Sequence, residues 1–296
     1  MGAAVGDAFG MPLEFAAPRT YDRFVDDFEP GRLPAGHFTD DTEMTLALAD
    51  GILAKNPLDP DEIAKRFADW FRSRPPDMGL HTAKVLSRIA KGEDWRIAAE
   101  SVHQDSPAWA GNGSVMRVVP AVLANAGNLS ACLEACRLQG RVTHAHPECD
   151  AACTFAGSVL WHALQGDSPA EAVDAGLSDV SDLPSELREA IEKASTRQPS
   201  DFPNTGWVRH TIESAVWGFR TSLSFTEAIV KVGNLGNDAD TASTMAGAFA
   251  GAAYGRFSIP AGWRERVHGE WPVGSGRIVR EGELIRLADA LVEAAG

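Results

Sequence analysis

The stretch Gly236-Asn237-Asp238-Ala239-Asp240-Thr241 opens a long run of small residues, Ala242 to Gly255. Its polar residues read as a helix start and the run behind it as the helix. Gly247, Gly251 and Gly255 lie four apart with Ala246 and Ala250 beside them, which predicts a small-residue stripe open to close approach by another helix. Such a helix sits centrally in its fold. Two carboxylates and a hydroxyl within four residues also gather hard oxygen donors, which suit Mg²⁺, Mn²⁺ or Ca²⁺ better than zinc. The same residue types are ordinary N-caps, so the hexapeptide alone leaves cap and metal site level. A second cluster, Thr39-Asp40-Asp41-Thr42, tips the balance.

Outward from that helix, apolar periodicity and turn residues predict helical runs over 41–55, 60–72, 80–91, 94–103, 114–125, 129–141 and 147–165. Further runs follow over 168–176, 184–195, 206–220, 224–233, 240–256, 260–268 and 278–295. Asp40 with Glu43 reads as a capping pair, and 16–38 as a long loop. Strand alternation with tight turns, fixed-period repeats and low-complexity linkers are all missing from the sequence. The expectation is one all-α domain over residues 1–296, with no Rossmann-type nucleotide site.

A chain of 296 residues with 44% hydrophobic content can bury a substantial core. A net charge of −14 argues against nucleic-acid or anionic-membrane surfaces. No apolar run is long enough to span a bilayer and no secretory signal is visible. The default is a cytoplasmic monomer.

Buried carboxylates repel one another unless paired or metal-bound, so Asp40, Asp41, Asp238 and Asp240 call for one or two divalent cations if their helix starts meet. Thr39 and Thr241 would add neutral oxygens. Glu14 is a further candidate, although a lone glutamate is more often a solvated surface acid. Gly111-Asn112-Gly113-Ser114-Val115-Met116-Arg117 reads as a glycine-rich turn entering a helix, where free backbone N–H groups suit a phosphate. Arg117 would reinforce an anion site or pair with a neighbouring acid. His144 and His146 are either a zinc-type pair or polar residues near a helix start. Cys132, Cys136, Cys149 and Cys153 are either a Cys₄ zinc site or small core residues, and the core reading is favoured. Asp77, in a Pro-rich loop, caps the helix beginning near Leu80 or faces a cationic substrate group.

Taken together, Gly6-Asp7-Ala8-Phe9-Gly10, Thr39 to Thr42, Gly111 to Arg117, Thr143-His144 and Gly236 to Thr241 resemble the ADP-ribosylglycohydrolase family, in the right order from Gly2 to at least Gly255. The resemblance implies an all-α fold with a centre of two divalent cations, Mg²⁺ or Mn²⁺. The matching ligands are Glu14, Thr39, Asp40, Asp41, Asp238, Asp240 and Thr241. The diphosphate loop falls on Asn112, Gly113, Ser114, Val115 and Met116, and the histidine near the ribose on His144. Asp77 matches the acid that contacts arginine, so catalytic roles fall on Asp77, Asp41 and Asp238. The implied reaction is metal-dependent hydrolysis of the N-glycosidic bond between ADP-ribose and an arginine side chain of a modified protein, releasing ADP-ribose. Rivals are another linkage (serine, O-acetyl-ADP-ribose or a nucleic-acid adduct) or a non-catalytic ADP-ribose binder. Asn237 and Ala239 depart from the residues common at those positions, which bears on substrate preference.

Overall fold

The structure, a computed structural model, describes residues 1–20 and 23–294. In chain order its helices are α1 (Gly2–Gly10), α2 (Asp40–Ala54), α3 (Pro60–Arg72), α4 (Leu80–Ile89), α5 (Trp95–Asp105), α6 (Val119–Leu123), α7 (Leu129–Arg141) and α8 (Pro147–Gln165). They continue with α9 (Pro169–Asp179), α10 (Ser185–Lys193), α11 (Val208–Thr221), α12 (Phe225–Gly233), α13 (Ala239–Tyr254), α14 (Ala261–Arg266) and α15 (Glu281–Glu293). The fold is all-α around one hydrophobic core. Residues 21 and 22 of the predicted loop, and residue 295 of the last predicted helix, lie outside the described residues. Among the described residues, no helix is long and apolar enough to cross a membrane.

Helix ends follow local chemistry. Asp59 caps α3 by accepting from the Asp61 and Glu62 amides, and Pro60 takes the first helical position, where no N–H is needed. His146 caps α8 in the same way through its ring nitrogen, with Pro147 next, and Gly166 ends that helix in a left-handed conformation. Three expectations need correction. The predicted helix over 114–125 is a 3₁₀ turn at Asn112–Ser114 followed only by the short α6. Pro120 has no N–H for the carbonyl of residue 116, so a continuous helix cannot form there. Ile278–Val279, placed in the last helix, pairs as a short antiparallel strand with Gly269–Glu270, and α15 starts after it. Finally, the Asp40–Glu43 capping pair is absent: Thr39 is the N-cap of α2, and Glu43 accepts a bond from the Trp70 indole at 2.8 Å.

Backbone contact between α1 and α13 positions everything that follows. A Cβ on Gly2 would stand 2.2 Å from the Gly247 carbonyl oxygen, on Gly6 2.0 Å from that of Ser243, and on Gly10 2.4 Å from that of Ala239. The helices therefore run antiparallel with almost nothing between them. The C-terminal end of α1 is delivered to the start of α13. Gly247 and Gly251 face Gly2 as the small-residue stripe predicts, whereas Gly255 meets no neighbour and ends α13 at φ +77°. Gly6→Val is expected to destabilise the fold by about 3 kcal/mol, since no side chain can yield where the obstacle is backbone. A urea-unfolding midpoint equal to that of the parent would refute this account.

All four cysteines are buried and free. A Cβ on Gly157 would meet Cys136 Sγ at 2.6 Å, one on Gly140 would meet Cys153 Sγ at 3.1 Å, and Cys149 donates to the Gly111 carbonyl at 3.3 Å. They pack; among the described residues they join no metal-ligating group.

Candidate active site

Three chain segments converge where α1 ends and α2 and α13 begin. Asp7, fully buried on α1, accepts from the Thr39 amide at 2.9 Å, the Thr42 amide at 3.0 Å, and the two hydroxyls at 2.8 and 2.6 Å. It thus does the work of a helix cap from another segment, satisfying N–H groups that α2 leaves open. The sequence reading quoted Asp7 inside a motif but gave it no role. Thr39 and Thr42, which bracket the turn it holds, were the available signal. Close by, Asp41 Oδ2 lies 3.5 Å from the hydroxyls of both Thr39 and Thr241, which ties the starts of α2 and α13 together.

A second tie is made by strained backbone. Phe15 and Asn237 both have left-handed φ, 60° and 54°, and exchange bonds across the two segments: the Phe15 amide to the Asn237 carbonyl at 2.6 Å, the Asn237 amide to Ala16 at 2.8 Å. Such conformations persist only where surroundings enforce them. Asparagine at 237 is compatible with this, because its short polar side chain tolerates the left-handed region. The tie helps hold Glu14 beside Asp240.

These carboxylates face a cleft of about 890 Å³ lined by Glu14, Asp40, Asp77, Asp238, Asp240 and Thr241 on one side. Asp41 and Thr39 lie just behind that wall, both buried. Burial, and then neighbouring carboxylates, hold Asp40 and Asp41 well above the usual carboxylate range. Burial and Asp240 push Asp238 up to about 8 and raise Glu14 against the opposing pull of Arg32. Asp7 rises to about 7 because burial outweighs its bonds from Thr42 and Thr39. A wall of this kind favours positive charge. Among the described residues Asp41 Oδ1 is buried with no hydrogen-bond partner, an acceptor that protein groups leave unused. An orphaned carboxylate oxygen amid hard oxygen donors fits a hard divalent cation.

Arg32, in the loop before α2, escaped the sequence reading altogether. Its guanidinium contacts the carboxylates of Glu14 and Asp77, and reaches Asp240 Oδ2 at 3.3 Å. Oxygens of Glu14, Asp77 and Asp240 all lie within 4.8 Å of one another. Asp77 does not cap α4, whose N-cap is Gly79 without a side-chain bond. Glu14 is likewise no solvated surface acid.

The cleft is also lined by Asn112, Gly113, Met116 and His144. Ser114 and Val115 turn fully buried side chains inward. Asn112 Nδ2 donates to Asp238 Oδ2 at 2.6 Å and to Thr211 at 2.8 Å, joining this turn to the acidic wall. Its own amide is taken by the Gly206 carbonyl at 3.1 Å, and the Val115 and Met116 amides go to the Asn112 carbonyl. Arg117 corrects both of its expectations. It is fully buried and has no acid partner among the described residues; it bonds Gln139 and Thr143 and lies 4.3 Å over the Phe67 ring. Burial lowers its guanidinium to about 9. The two histidines also separate: His146 caps α8, while His144 is buried at the cleft.

Fold and cleft define an all-α protein with a carboxylate wall suited to hard cations, facing a glycine turn. Comparison with known proteins gives the class a name. The family model "ADP-ribosylglycohydrolase" matches residues 1–296, and the chain belongs to that family. It is 31% identical over 302 residues to an ADP-ribosyl-[dinitrogen reductase] glycohydrolase of Rhodospirillum rubrum, covering 100% of this chain and 95% of the relative. An ADP-ribosylarginine hydrolase of Pseudomonas putida is 32% identical over 277 residues, covering 90% of this chain and 72% of the relative. A solved "ADP-ribosylglycohydrolase-related protein complex" superimposes with a TM-score of 0.84 at 32% identity, covering 100% of this chain and 95% of the other.

Proposed function

We propose that this protein hydrolyses the N-glycosidic bond between ADP-ribose and an arginine side chain, with two divalent cations, Mg²⁺ or Mn²⁺, in the carboxylate wall. The observation that carries the arginine reading is Arg32. The chain's own guanidinium sits among Asp77, Glu14 and Asp240, which supports a guanidinium-binding role for this corner of the cleft. The similarity to an ADP-ribosylarginine hydrolase points the same way. Glu14, Asp40, Asp41, Asp238 and Asp240, with the hydroxyls of Thr39 and Thr241, would hold the cations. Bound there, they would hold the ribose hydroxyls and orient and activate the attacking water. Asp77 binds the leaving guanidinium and takes part in moving its proton. Asp41 and Asp238 keep the cation-binding oxygens in place, Asp238 through its bond from Asn112. The substrate is an ADP-ribosylated protein, ADP-ribose is the product, and the chain acts as one domain.

Asn112 to Met116 would receive the diphosphate. The amides of Asn112, Val115 and Met116 are committed within the protein and Ser114 is fully buried, so the Gly113 amide, at the cleft, is the donor assigned to the phosphates. Gly113 is also hemmed in: a Cβ there would stand 3.0 Å from Thr82 Oγ1 and 3.1 Å from His144 Cε1. Gly113→Val is therefore expected to weaken ADP-ribose binding about a hundredfold, a loss of ~3 kcal/mol, with Mn²⁺ binding unchanged. Calorimetry with each ligand checks this, and equal ADP-ribose affinity would exclude the turn as the diphosphate site. The function as a whole is tested by a panel of arginine-, serine- and acetyl-linked ADP-ribose with Mg²⁺, Mn²⁺ and EDTA. Release from the arginine linkage, dependent on cation, is expected.

A further inference from the structure

Among the described residues Arg117 is a buried cation with no anionic partner, an expensive arrangement that packing alone does not require. What it touches suggests its use. Its Nη2 donates to Thr143 Oγ1 at 2.7 Å, and that hydroxyl lies 2.8 Å from His144 Nδ1. A guanidinium can only donate, so one lone pair of the hydroxyl is committed to it. The Thr143 side chain is fully buried. If Nδ1–H also donated to Oγ1, the hydroxyl would accept twice and its own proton would need a further acceptor, and among the described residues Oγ1 bonds only Arg117 and His144 Nδ1. The remaining arrangement has Arg117 donating to Thr143, and Thr143 donating to Nδ1.

The second nitrogen of the ring then carries the proton. Nε2 lies against the glycine turn: it would be 3.3 Å from a Cβ on either Gly111 or Gly113, so the two glycines leave this edge of the ring uncovered beside the cleft. On the ring's face stands His81, 4.5 Å away centroid to centroid, whose own Nε2 donates to the Thr143 carbonyl at 3.0 Å. Burial, then His81 and Arg117, keep His144 from taking a second proton. A neutral imidazole with Nε2–H outward offers one donor and no charge.

We infer that Arg117 and Thr143 are positioning residues that lock His144 as its Nε2–H tautomer, so that it donates one hydrogen bond to an oxygen of the ADP-ribose moiety. The ligand half of this inference rests on the proposed function; the tautomer half stands on the chain alone. Arg117 is thus part of the glycine-turn motif for a reason unrelated to anion contact. It acts two bonds away, by using up the hydroxyl's acceptor capacity.

The test begins on the parent protein. ¹⁵N NMR of histidine-labelled protein, with His144 assigned by His144→Gln, is expected to show a protonated Nε2 and an unprotonated Nδ1 across the neutral pH range. A protonated Nδ1 overturns the inference without any further variant. Thr143→Val should then scramble or invert the tautomer and weaken ADP-ribose binding about tenfold, and Thr143→Ser should restore both. A tautomer unchanged in Thr143→Val overturns the relay. An altered tautomer with parental ADP-ribose affinity overturns the donor role of His144. Should the parent fail to bind ADP-ribose at all, the proposed function falls, while the spectrum still decides the tautomer.

Discussion

Asp41→Asn should abolish both cation binding and hydrolysis, for every ADP-ribose linkage alike. Asp41 occupies the junction of the starts of α2 and α13, with one oxygen near the hydroxyls of Thr39 and Thr241 and the other without a partner. The substitution keeps the shape, but it replaces a hard anionic oxygen with an N–H₂ donor amid carboxylates. Removing one of several mutually repelling charges relieves repulsion, so in EDTA the variant should unfold at a temperature no lower than the parent. The parent should gain stability with added Mn²⁺, by about 2.7 kcal/mol at a hundred times its dissociation constant. The variant should gain nothing. Losing the cations' contribution is worth roughly 4 kcal/mol, about a thousandfold in rate. Thermal melts with and without Mn²⁺ read the binding half of this, and a single-turnover assay reads the other. A variant with the parental Mn²⁺ shift would remove Asp41 from the cation site.

Legibility of this chain depended on how local the physics was. Helices whose ends are set by a cap and a proline within a few residues, such as α3 and α8, could be bounded from the sequence because everything that bounds them is adjacent. The glycine spacing of α13 foretold a close partner, and α1 is that partner. What stayed hidden was non-local. The amides at the start of α2 are satisfied by Asp7 from another helix, so a local capping pair at Asp40 and Glu43 was the natural but incorrect reading. Arg32 lies in a loop without periodicity, and only the fold brings it to three acids. Arg117 reads from sequence as a support for an anion site or the partner of a neighbouring acid. Its partners, Gln139, Thr143 and the Phe67 ring, come from α3, α7 and the turn after α7, and no spacing rule connects them. The carboxylates of the cleft were legible as residue types because clustered acids are conspicuous, whereas the order in which they face the cleft required the structure.

Asp77→Asn is expected to slow release of arginine-linked ADP-ribose about thirtyfold relative to release from the serine linkage. Asp77 is partly exposed, its side chain 26% accessible, so the cost of neutralising it belongs at the lower end for a charged partner, about 2 kcal/mol. Its relation to Arg32 complicates a reading from one substrate. The same substitution takes one of three acids away from Arg32 and so loosens a cation that an incoming arginine would have to displace. That effect acts before the leaving group matters, and it changes both linkages in the same sense. The quantity to measure is therefore the ratio of kcat/KM for arginine-linked to serine-linked substrate in the parent and in Asp77→Asn. Contact between Asp77 and the leaving guanidinium lowers the ratio, because a serine hydroxyl offers no fork of N–H donors for a carboxylate to accept. A role confined to holding Arg32 leaves the ratio unchanged, however far the separate rates move. An unchanged ratio would therefore sink the arginine assignment while leaving the cation site, which Asp41 tests, intact.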